Sequence, residues 1–416
     1  MSNNDEIERN RRANLPSSEG SNPFAGRHDG EIYDVGSVLD HEVFDSLLQW
    51  ASGKKASDIT IAPDVRITAD IGGKLVKITS RPISPSEIES IVRYVYGENG
   101  VGEVISGMDL DPAHEIRIQG VGVKRYRVNM TGGRMIGGRG IQITVRDLPS
   151  QPVHYTKLGL EEDLLNNMRP EQGLIIITGP TGSGKSTLLS SIIRKRVEEP
   201  DANEKVLEYS SPIEYVFDGI DMPSSSVFQS HAGRDIRPRG DDQSQEAIFA
   251  YCVRNALRRK PTIIIIGEAR DKATIEAVVE ASLTGHLVFT TMHTIGVGET
   301  LRRMVMPFPD ETRRSIALDI MESLRVICTQ LLLDKVGPDG KSAGKVGCRE
   351  FMVFSRSVRE EFLRHDIEEW PKVARLILAE KRALGQTMAD AALVLLEKDL
   401  ISEKTYERVA APGRGA

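Results

Sequence analysis

A glycine-rich segment that ends in a lysine and a serine carries the strongest chemical signal in the sequence. Residues 174–189 read Leu-Ile-Ile-Ile-Thr-Gly-Pro-Thr-Gly-Ser-Gly-Lys-Ser-Thr-Leu-Leu, and Gly179, Gly184, Lys185 and Ser186 fit the P-loop spacing G-x-x-x-x-G-K-[ST]. The glycines of such a loop let backbone N–H groups turn towards phosphate oxygens, the lysine reaches the β- and γ-phosphates, and the serine hydroxyl binds Mg²⁺. The segment therefore predicts a nucleoside triphosphate site with Ser186 as a metal ligand.

Two glutamates follow strand-like segments at the places where such a site keeps its carboxylates. Glu268 comes directly after the run Thr262–Ile266 and Gly267, and four consecutive isoleucines in that run indicate a buried parallel strand. Glu214 follows a second strand that begins at Lys205. Ligands of α/β sheets bind beyond the carboxyl ends of the strands, and a carboxylate there orients water or Mg²⁺. Glu268 and Glu214 are therefore predicted catalytic residues.

Two histidines, His286 and His293, bracket another apolar strand of the same predicted sheet. A single histidine in such a place is more often a capped or core residue, but a pair beside a P-loop could sense the γ-phosphate by hydrogen bonding. Metal binding is the weaker reading because no third ligand lies nearby in the sequence.

Arginines are frequent in the strand-like segments that precede the P-loop. On a half-exposed sheet such arginines are commonly solvated. An oligomeric NTPase, however, needs cations that reach the γ-phosphate of a neighbouring subunit, and guanidinium suits that role. Some of these residues are therefore candidate arginine fingers, and the set comprises Arg125, Arg127, Arg134, Arg139 and Arg146.

Composition limits the class of protein. The 416 residues, 39% hydrophobic and 27% charged, predict a soluble globular protein of two or three domains. A net charge of −6 argues against a protein that mainly coats nucleic acid. The three cysteines are far apart in sequence, which favours a reducing cytosol over a disulfide framework or a zinc site. No spanning segment or signal peptide is recognisable, so any membrane role is expected to pass through partners.

Hydrophobic periodicity and turn signals divide the chain into predicted regions. A small α+β domain with antiparallel strands precedes an α/β domain that holds the P-loop. Within these domains we expect Ser86 to cap a helix and residues 316–333 and 373–383 to be helical. A turn at residues 337–341 is expected before a return strand over 349–354. The predicted boundaries are a flexible tail over 1–34, the first domain over 35–147, a linker over 148–157, the nucleotide-binding core over 158–310, a mostly helical region over 311–410 and a disordered end over 411–416.

Four motifs together resemble those of a known family. The P-loop, Ser-Pro-Ile-Glu-Tyr at 211–215, Ile-Ile-Gly-Glu-Ala-Arg-Asp at 265–271 and Thr-Gly-His-Leu-Val-Phe-Thr-Thr-Met-His at 284–293 resemble the Walker A, Asp box, Walker B and His box of secretion ATPases of the PilT/GspE superfamily. The resemblance extends from about Ser57 to Leu400. It implies ATP hydrolysis by a homohexameric ring, each subunit having a PAS-like N-terminal domain and a RecA-like C-terminal domain, with ATP held between the two.

The resemblance also implies roles for individual residues. Glu268 would be the Walker B glutamate, Glu214 the acid of the Asp box, and the two histidines the His box. Arginine fingers come from the N-terminal domain in such proteins. The residues expected to bind ATP are Gly179, Pro180, Thr181, Gly182, Ser183, Gly184, Lys185, Ser186 and Thr187, with Mg²⁺ on Ser186. The candidate catalytic residues are Glu268, Glu214, His293, His286, Arg127, Arg139 and Arg146.

The sequence departs from the family pattern in two respects. Ser210 and Ser211 stand where the Asp box commonly has Glu-Asp, so two carboxylates are missing and slow hydrolysis is one possible consequence. The tetracysteine zinc motif of many type II secretion ATPases is also absent, which favours the PilT side. There, Gly140-Ile-Gln-Ile-Thr-Val-Arg and Tyr-Ser-Ser-Pro-Ile-Glu-Tyr are most similar to the DotB/TraJ ATPases of type IVB secretion and plasmid conjugation.

The expected function is a cytoplasmic ATPase that powers a type IVB-like secretion or conjugation machine, peripheral at the inner membrane through partner proteins. A type IV pilus retraction motor of the PilT kind is one alternative, and a nucleotide-gated docking scaffold with little hydrolysis is another. A DNA-translocating motor rests only on RecA-like analogy. Sequence-specific binding of nucleic acid is not expected.

Overall fold

The computed structural model describes residues 32–118, 122–135, 138–148, 151–239, 244–337 and 342–411. Its chain divides into two compact units, Met1–Leu148 and Pro149–Ala416, so the division falls inside the predicted linker. Most of the predicted tail, most of the predicted turn at 337–341 and the residues after 411 lie outside the described residues. In the described part of the chain, no helix combines the length and the apolar character that crossing a membrane requires.

The described residues of the first unit form a six-stranded antiparallel sheet and three helices. Its strand order is β3-β2-β1-β6-β5-β4. Alternate residues of the strands are buried, as Ile141, Ile143 and Val145 are on β6, and they pack with apolar side chains of α1. The elements are α1 (His41–Gly53), β1 (Ala56–Ile61), β2 (Thr68–Ile71), β3 (Lys74–Lys77), α2 (Pro85–Tyr96), α3 (Gly100–Ile105), β4 (Ala113–Ile118), β5 (Gly122–Met135) and β6 (Gly138–Leu148).

Helix α2 begins two residues before its predicted cap. Ser84, not Ser86, is the N-cap: its Oγ accepts from the N–H of Glu87 at 3.4 Å, and the Glu87 carboxylate accepts from the N–H of Ser84 at 2.8 Å. This capping box places Pro85 in the first turn, where its missing N–H costs nothing. The prediction for Ser86 was wrong because it left this proline outside the helix.

The second unit holds an eight-stranded mixed sheet in the order β14-β13-β12-β7-β11-β10-β8-β9. The six neighbouring strands β12, β7, β11, β10, β8 and β9 run parallel. Strand β13 pairs antiparallel with β12, and β14 pairs antiparallel with β13. The strands are β7 (Gly173–Thr178), β8 (Lys205–Ser210), β9 (Ser226–His231), β10 (Ile263–Ile266), β11 (Leu287–Met292), β12 (Leu324–Val336), β13 (Ser342–Val353) and β14 (Gly385–Gln386). The helices are α4 (Glu162–Asn167), α5 (Lys185–Val197), α6 (Gln245–Ala256), α7 (Lys272–Leu283), α8 (Val297–Val305), α9 (Asp310–Ser323), α10 (Arg356–Leu363), α11 (Trp370–Ala379), α12 (Met388–Glu397) and α13 (Glu403–Ala410).

The central strands of this sheet are the ones that the sequence predicted from apolar runs. Every residue of β7, β10 and β11 is buried, because helices cover both faces of a parallel sheet. Since parallel strands end at the same edge, the residues that follow β7, β10 and β11 lie close together. The sheet therefore positions the site.

The predicted helix over 316–333 was wrong beyond Ser323. Helix α9 ends there, and residues 324–336 form β12, which pairs parallel with the P-loop strand β7 and antiparallel with β13. A short apolar run cannot be assigned to helix or strand by periodicity alone, and here pairing between strands decides. Part of the region predicted as mostly helical thus belongs to the sheet that carries the P-loop.

Candidate nucleotide-binding site

The P-loop joins β7 to α5 with a backbone that requires glycine. Gly179, Gly182 and Gly184 have φ values of 143°, 76° and 79°, which side chains disfavour. A Cβ atom on Gly179 would lie 2.3 Å from the backbone oxygen of Gln330 and 2.6 Å from Ser183 Oγ. The loop opens into the N-terminus of α5, where backbone N–H groups and the helix dipole favour an anion.

Lys185 lies inside this loop with only 7% of its surface exposed. Its Nζ donates to the carbonyl oxygens of Gly179 at 2.8 Å and Pro180 at 2.9 Å. Burial lowers the pKa of this lysine, and the nearby carboxylates of Glu214 and Glu268 act in the opposite direction. A buried ammonium group thus lies in the first turn of α5, and two carboxylates act on it electrostatically.

Three of the predicted residues, Lys185, Glu268 and His293, come together beyond the carboxyl ends of the parallel strands. Glu268 follows β10 and His293 follows β11, and His293 Nε2 lies 3.7 Å from Glu268 Oε1. His293 Nδ1 lies 3.4 Å from Lys185 Nζ. His293 therefore bridges the P-loop lysine and the glutamate of the neighbouring strand.

His286 lies just before the first residue of β11, at the end of the sheet where the parallel strands begin. Its backbone oxygen accepts from the N–H of Gly173, the first residue of β7, and its Nδ1 is 3.3 Å from the oxygen of Ala281. The six residues of β11 separate it from His293 by about 20 Å. The expectation that both histidines sense the γ-phosphate by hydrogen bonding is therefore corrected for a single chain: of the two, His293 lies at the P-loop and His286 does not.

The loop after β8 carries Glu214 and contacts the P-loop helix. Glu214 is exposed, and the adjacent Tyr215 is buried with its hydroxyl 2.7 Å from Thr187 Oγ1. Burial raises the pKa of Tyr215, so the hydroxyl stays protonated at neutral pH. Tyr215 was missed as a site residue, although it lies inside the motif that was recognised.

The two serines of the Asp box have a carboxyl group close by. Ser210 Oγ donates to Glu208 Oε1 at 2.7 Å, and both residues are less than 10% exposed. Gln229 Nε2 donates to Glu208 Oε2 at 2.7 Å and to the backbone oxygen of Tyr215 at 2.7 Å. Residues two apart on a strand share a face, so Glu208 presents its carboxyl group beside the position where the family has one. Glu208 was not predicted as a site residue, and the sequence signal that could have identified it is a carboxylate in the middle of an apolar strand.

The three arginines among the candidate catalytic residues are engaged within the first unit. Arg127 forms a bidentate ion pair with Asp111, and Arg146 Nε donates to Asp58 Oδ1 at 2.8 Å. Arg139 Nη1 donates to the backbone oxygen of Ile105 at 2.8 Å. Their role as fingers stays a prediction.

The donor set around the P-loop suits a phosphate group with a hard cation. Ser183 Oγ is buried and, within the described residues, has no hydrogen-bond partner, and it lies on the loop itself. Ser186 stands in the first turn of α5, half-buried, and Glu268 and Glu214 supply carboxylate oxygens nearby. Mg²⁺ prefers oxygen ligands and usually takes only one or two from the protein, with phosphates and water completing its shell. No cluster of three or more potential metal ligands occurs in the ranges that the structure covers.

Comparison with known proteins identifies the class. The chain belongs to the type II/IV secretion system protein family, whose model matches residues 115–387. The structure of the ATPase DotB from Legionella pneumophila has a TM-score of 0.74 and 39% identity, and the match covers 91% of this chain and 98% of that one. A structure of the pilus retraction motor PilT with bound ADP has a TM-score of 0.73 and 27% identity, covering 89% and 98%.

A curated relative gives the same assignment. The type IV pilus retraction ATPase PilT of Pseudomonas aeruginosa is 29% identical over 370 residues, which are 88% of this chain and 98% of that protein. The protein is therefore an ATPase of the secretion and pilus ATPase superfamily and uses a nucleotide. The predicted α/β fold and the resemblance to the PilT/GspE superfamily are confirmed.

Proposed function

We propose that the protein is a homohexameric, Mg²⁺-dependent ATPase that powers a type IVB-like secretion or plasmid conjugation machine from the cytoplasmic face of the inner membrane. The observation that carries the ATPase site is the group formed by Lys185, Glu268 and His293 beyond the ends of three neighbouring strands. The similarity to DotB over nearly the whole chain supports the secretion reading.

Each residue of the group has a role that its position supports. Lys185 exchanges its two carbonyl partners for oxygens of the β- and γ-phosphates. Glu268 orients the attacking water. His293, which contacts both Lys185 and Glu268, hydrogen-bonds to the γ-phosphate. Ser186 and a carboxylate would hold Mg²⁺, and the ion would supply positive charge to neutralise the phosphates. Arg127, Arg139 and Arg146 are the proposed fingers towards a neighbouring subunit.

Two alternatives have their own support. A pilus retraction motor is supported by the relatives named PilT. A nucleotide-gated scaffold with little hydrolysis is supported by Ser210, whose hydroxyl is turned to Glu208 in place of a carboxylate at the Asp box. In a host strain, loss of substrate transfer with normal pilus retraction on deletion of the gene favours the secretion machine over the motor.

The test is steady-state ATP hydrolysis by the purified full chain, with oligomeric mass measured by light scattering with and without ATP and Mg²⁺. We expect Lys185→Ala and Glu268→Gln to lower turnover at least a hundredfold, because each removes a group that acts on the transferred phosphoryl or its water. Lys372→Ala and Glu276→Gln, exposed on α11 and α7, are matched controls that leave turnover unchanged. Normal turnover in Glu268→Gln contradicts the proposed site, and a monomer under all conditions contradicts the ring.

The same variants separate the motor from the scaffold. A motor loses its cellular function in both Lys185→Ala and Glu268→Gln. A scaffold binds ATP, turns it over slowly in the wild type, and keeps its function in Glu268→Gln while losing it in Lys185→Ala.

A further inference from the structure

A buried glutamine and a buried arginine support the P-loop from behind. Gln330 on β12 and Arg349 on β13 are directly opposite in the antiparallel pair and are 4% and 2% exposed. Arg349 Nε donates to Gln330 Oε1 at 2.8 Å, and Gln330 Nε2 donates to the backbone oxygen of Ser183 at 2.7 Å. The two side chains thus form a continuous path of hydrogen bonds from β13 to the P-loop.

The arginine determines which way the glutamine amide points. A guanidinium can only donate, so the amide atom that faces Arg349 is the oxygen. The amide nitrogen must then face the opposite way, towards the carbonyl of Ser183. The Ser183 carbonyl can only accept, so Arg349 and Ser183 both require the same orientation of the amide.

Holding the Ser183 oxygen has a consequence for the nucleotide. The C=O and N–H of a trans peptide point in opposite directions, so a Ser183 oxygen bonded to the Gln330 side chain directs the N–H of Gly184 away from Gln330. That N–H belongs to the residue before α5, where an anion is favoured. Gln330 also limits the space for side chains at both ends of the loop. A Cβ atom on Gly179 would lie 2.3 Å from the backbone oxygen of Gln330, and a Cβ atom on Gly184 would lie 3.0 Å from its Nε2.

The other donors of Arg349 hold the segment that enters the second unit. Its Nη2 donates to the backbone oxygen of Leu158 at 3.0 Å, and its Nη1 lies 3.3 Å from the oxygen of Gly159 and from Glu161 Oε2. Gln386 Nε2 in turn donates to Glu161 Oε1 at 3.2 Å. The buried guanidinium is therefore paired with a carboxylate, and all three of its nitrogens have acceptors.

We propose that Gln330 and Arg349 are positioning residues of the ATPase site: they orient the peptide between Ser183 and Gly184 so that its N–H meets phosphate. Neither touches the reacting atoms. The proposal rests on the P-loop being the nucleotide site, and its test therefore includes Lys185→Ala as a separate check of that site.

The test measures the Kd of a fluorescent ATP analogue, kcat, KM and the melting temperature of the full chain. Gln330→Glu is isosteric but turns an acceptor towards the Ser183 oxygen, while its new carboxylate pairs with Arg349 and preserves the fold. We expect Kd and KM to rise about tenfold. Arg349→Lys keeps the charge, but a lysine cannot hydrogen-bond Gln330 and residues 158–161 together. We expect a smaller rise in Kd and KM for this variant.

A structural control separates positioning from stability. Trp370→Phe removes a buried N–H that donates to the oxygen of Phe362 at 2.9 Å on distant helices, so it lowers the melting temperature and leaves Kd unchanged. Gln330→Glu with wild-type Kd, while Lys185→Ala abolishes binding, overturns the proposal. Wild-type binding in Lys185→Ala refutes the nucleotide site itself. If Gln330→Glu does not fold, Arg349→Lys carries the test, and a lower melting temperature with unchanged Kd in that variant overturns it.

Discussion

Restoring the family's glutamate at position 210 should destabilise this protein. Ser210 Oγ donates to a carboxyl oxygen of Glu208 at 2.7 Å, and both side chains are buried on one face of β8. Ser210→Glu replaces this hydroxyl donor with a second carboxyl group in the same place. Two negative charges about 4 Å apart repel by about 4 kcal/mol at an effective dielectric constant of about 20.

Protonation limits this cost and makes it depend on pH. One of the two carboxyls can bind a proton, which at pH 7 costs about 1.36 × (7 − 4.3), or roughly 3.7 kcal/mol. The same calculation at pH 5 gives about 1 kcal/mol. Because the pair titrates with a raised pKa in the folded state, the loss of unfolding free energy grows as pH rises from about 4.3 towards 7.

The assay is urea denaturation followed by tryptophan fluorescence. The chain has two tryptophans, Trp50 in the first unit and the buried Trp370 in the second, so a Trp50→Phe background reports the second unit alone. The double variant Glu208→Gln, Ser210→Glu is the control, because it leaves one carboxyl group and regains most of the lost stability. A loss below 1 kcal/mol at pH 7, or a loss that does not shrink at pH 5, would refute the reasoning.

Two further predictions concern the P-loop glycine and the capping box. Gly179→Ala should abolish binding of an ATP analogue measured by fluorescence, since its Cβ would lie 2.3 Å from a backbone oxygen of Gln330 at a φ of 143°; tight binding would show that the loop relaxes. Burial opposes ionisation of Glu87, but hydrogen bonds from Arg81 and backbone N–H groups outweigh it and lower the pKa to about 2. The stabilisation that the ionised Glu87 carboxylate provides is fully present above about pH 4.5 and is lost as pH falls towards 2. Glu87→Gln should therefore lower the free energy of unfolding of the first unit by about 3 kcal/mol at pH 7, as measured by the fluorescence of Trp50. Glu89→Gln on the same helix, with a side chain 43% exposed, serves as the control, and equal costs in the two variants would contradict the assignment.

The parts of the site that follow local rules were predictable from sequence. The P-loop spacing is a local signal, and strands such as β7 and β10 are short apolar runs bounded by glycine or proline. Lys185 was identified by the P-loop spacing, and Glu268 by its place two residues after such a strand.

The supporting residues were missed because their partners are distant in the chain. Gln330 and Ser183 are 147 residues apart, and the apolar run around Gln330 resembles the stripe of an amphipathic helix. Glu208 had the same character: a polar residue within an apolar run, whose partner Gln229 lies on another strand. A polar residue in the middle of an apolar run implies a buried partner, although sequence alone does not say which one.

The two histidines show how a parallel sheet selects its site residues. His286 and His293 are equivalent in sequence, one on each side of β11, but only the second follows the strand. A parallel sheet gathers its ligand groups where strands end and helices begin, because there the backbone N–H groups of helices are available to anions. Glu268 and Glu214, which follow β10 and β8, satisfy the same condition. A side chain that precedes a parallel strand is about one strand length away, so any role of His286 with nucleotide has to involve something other than the P-loop of its own chain.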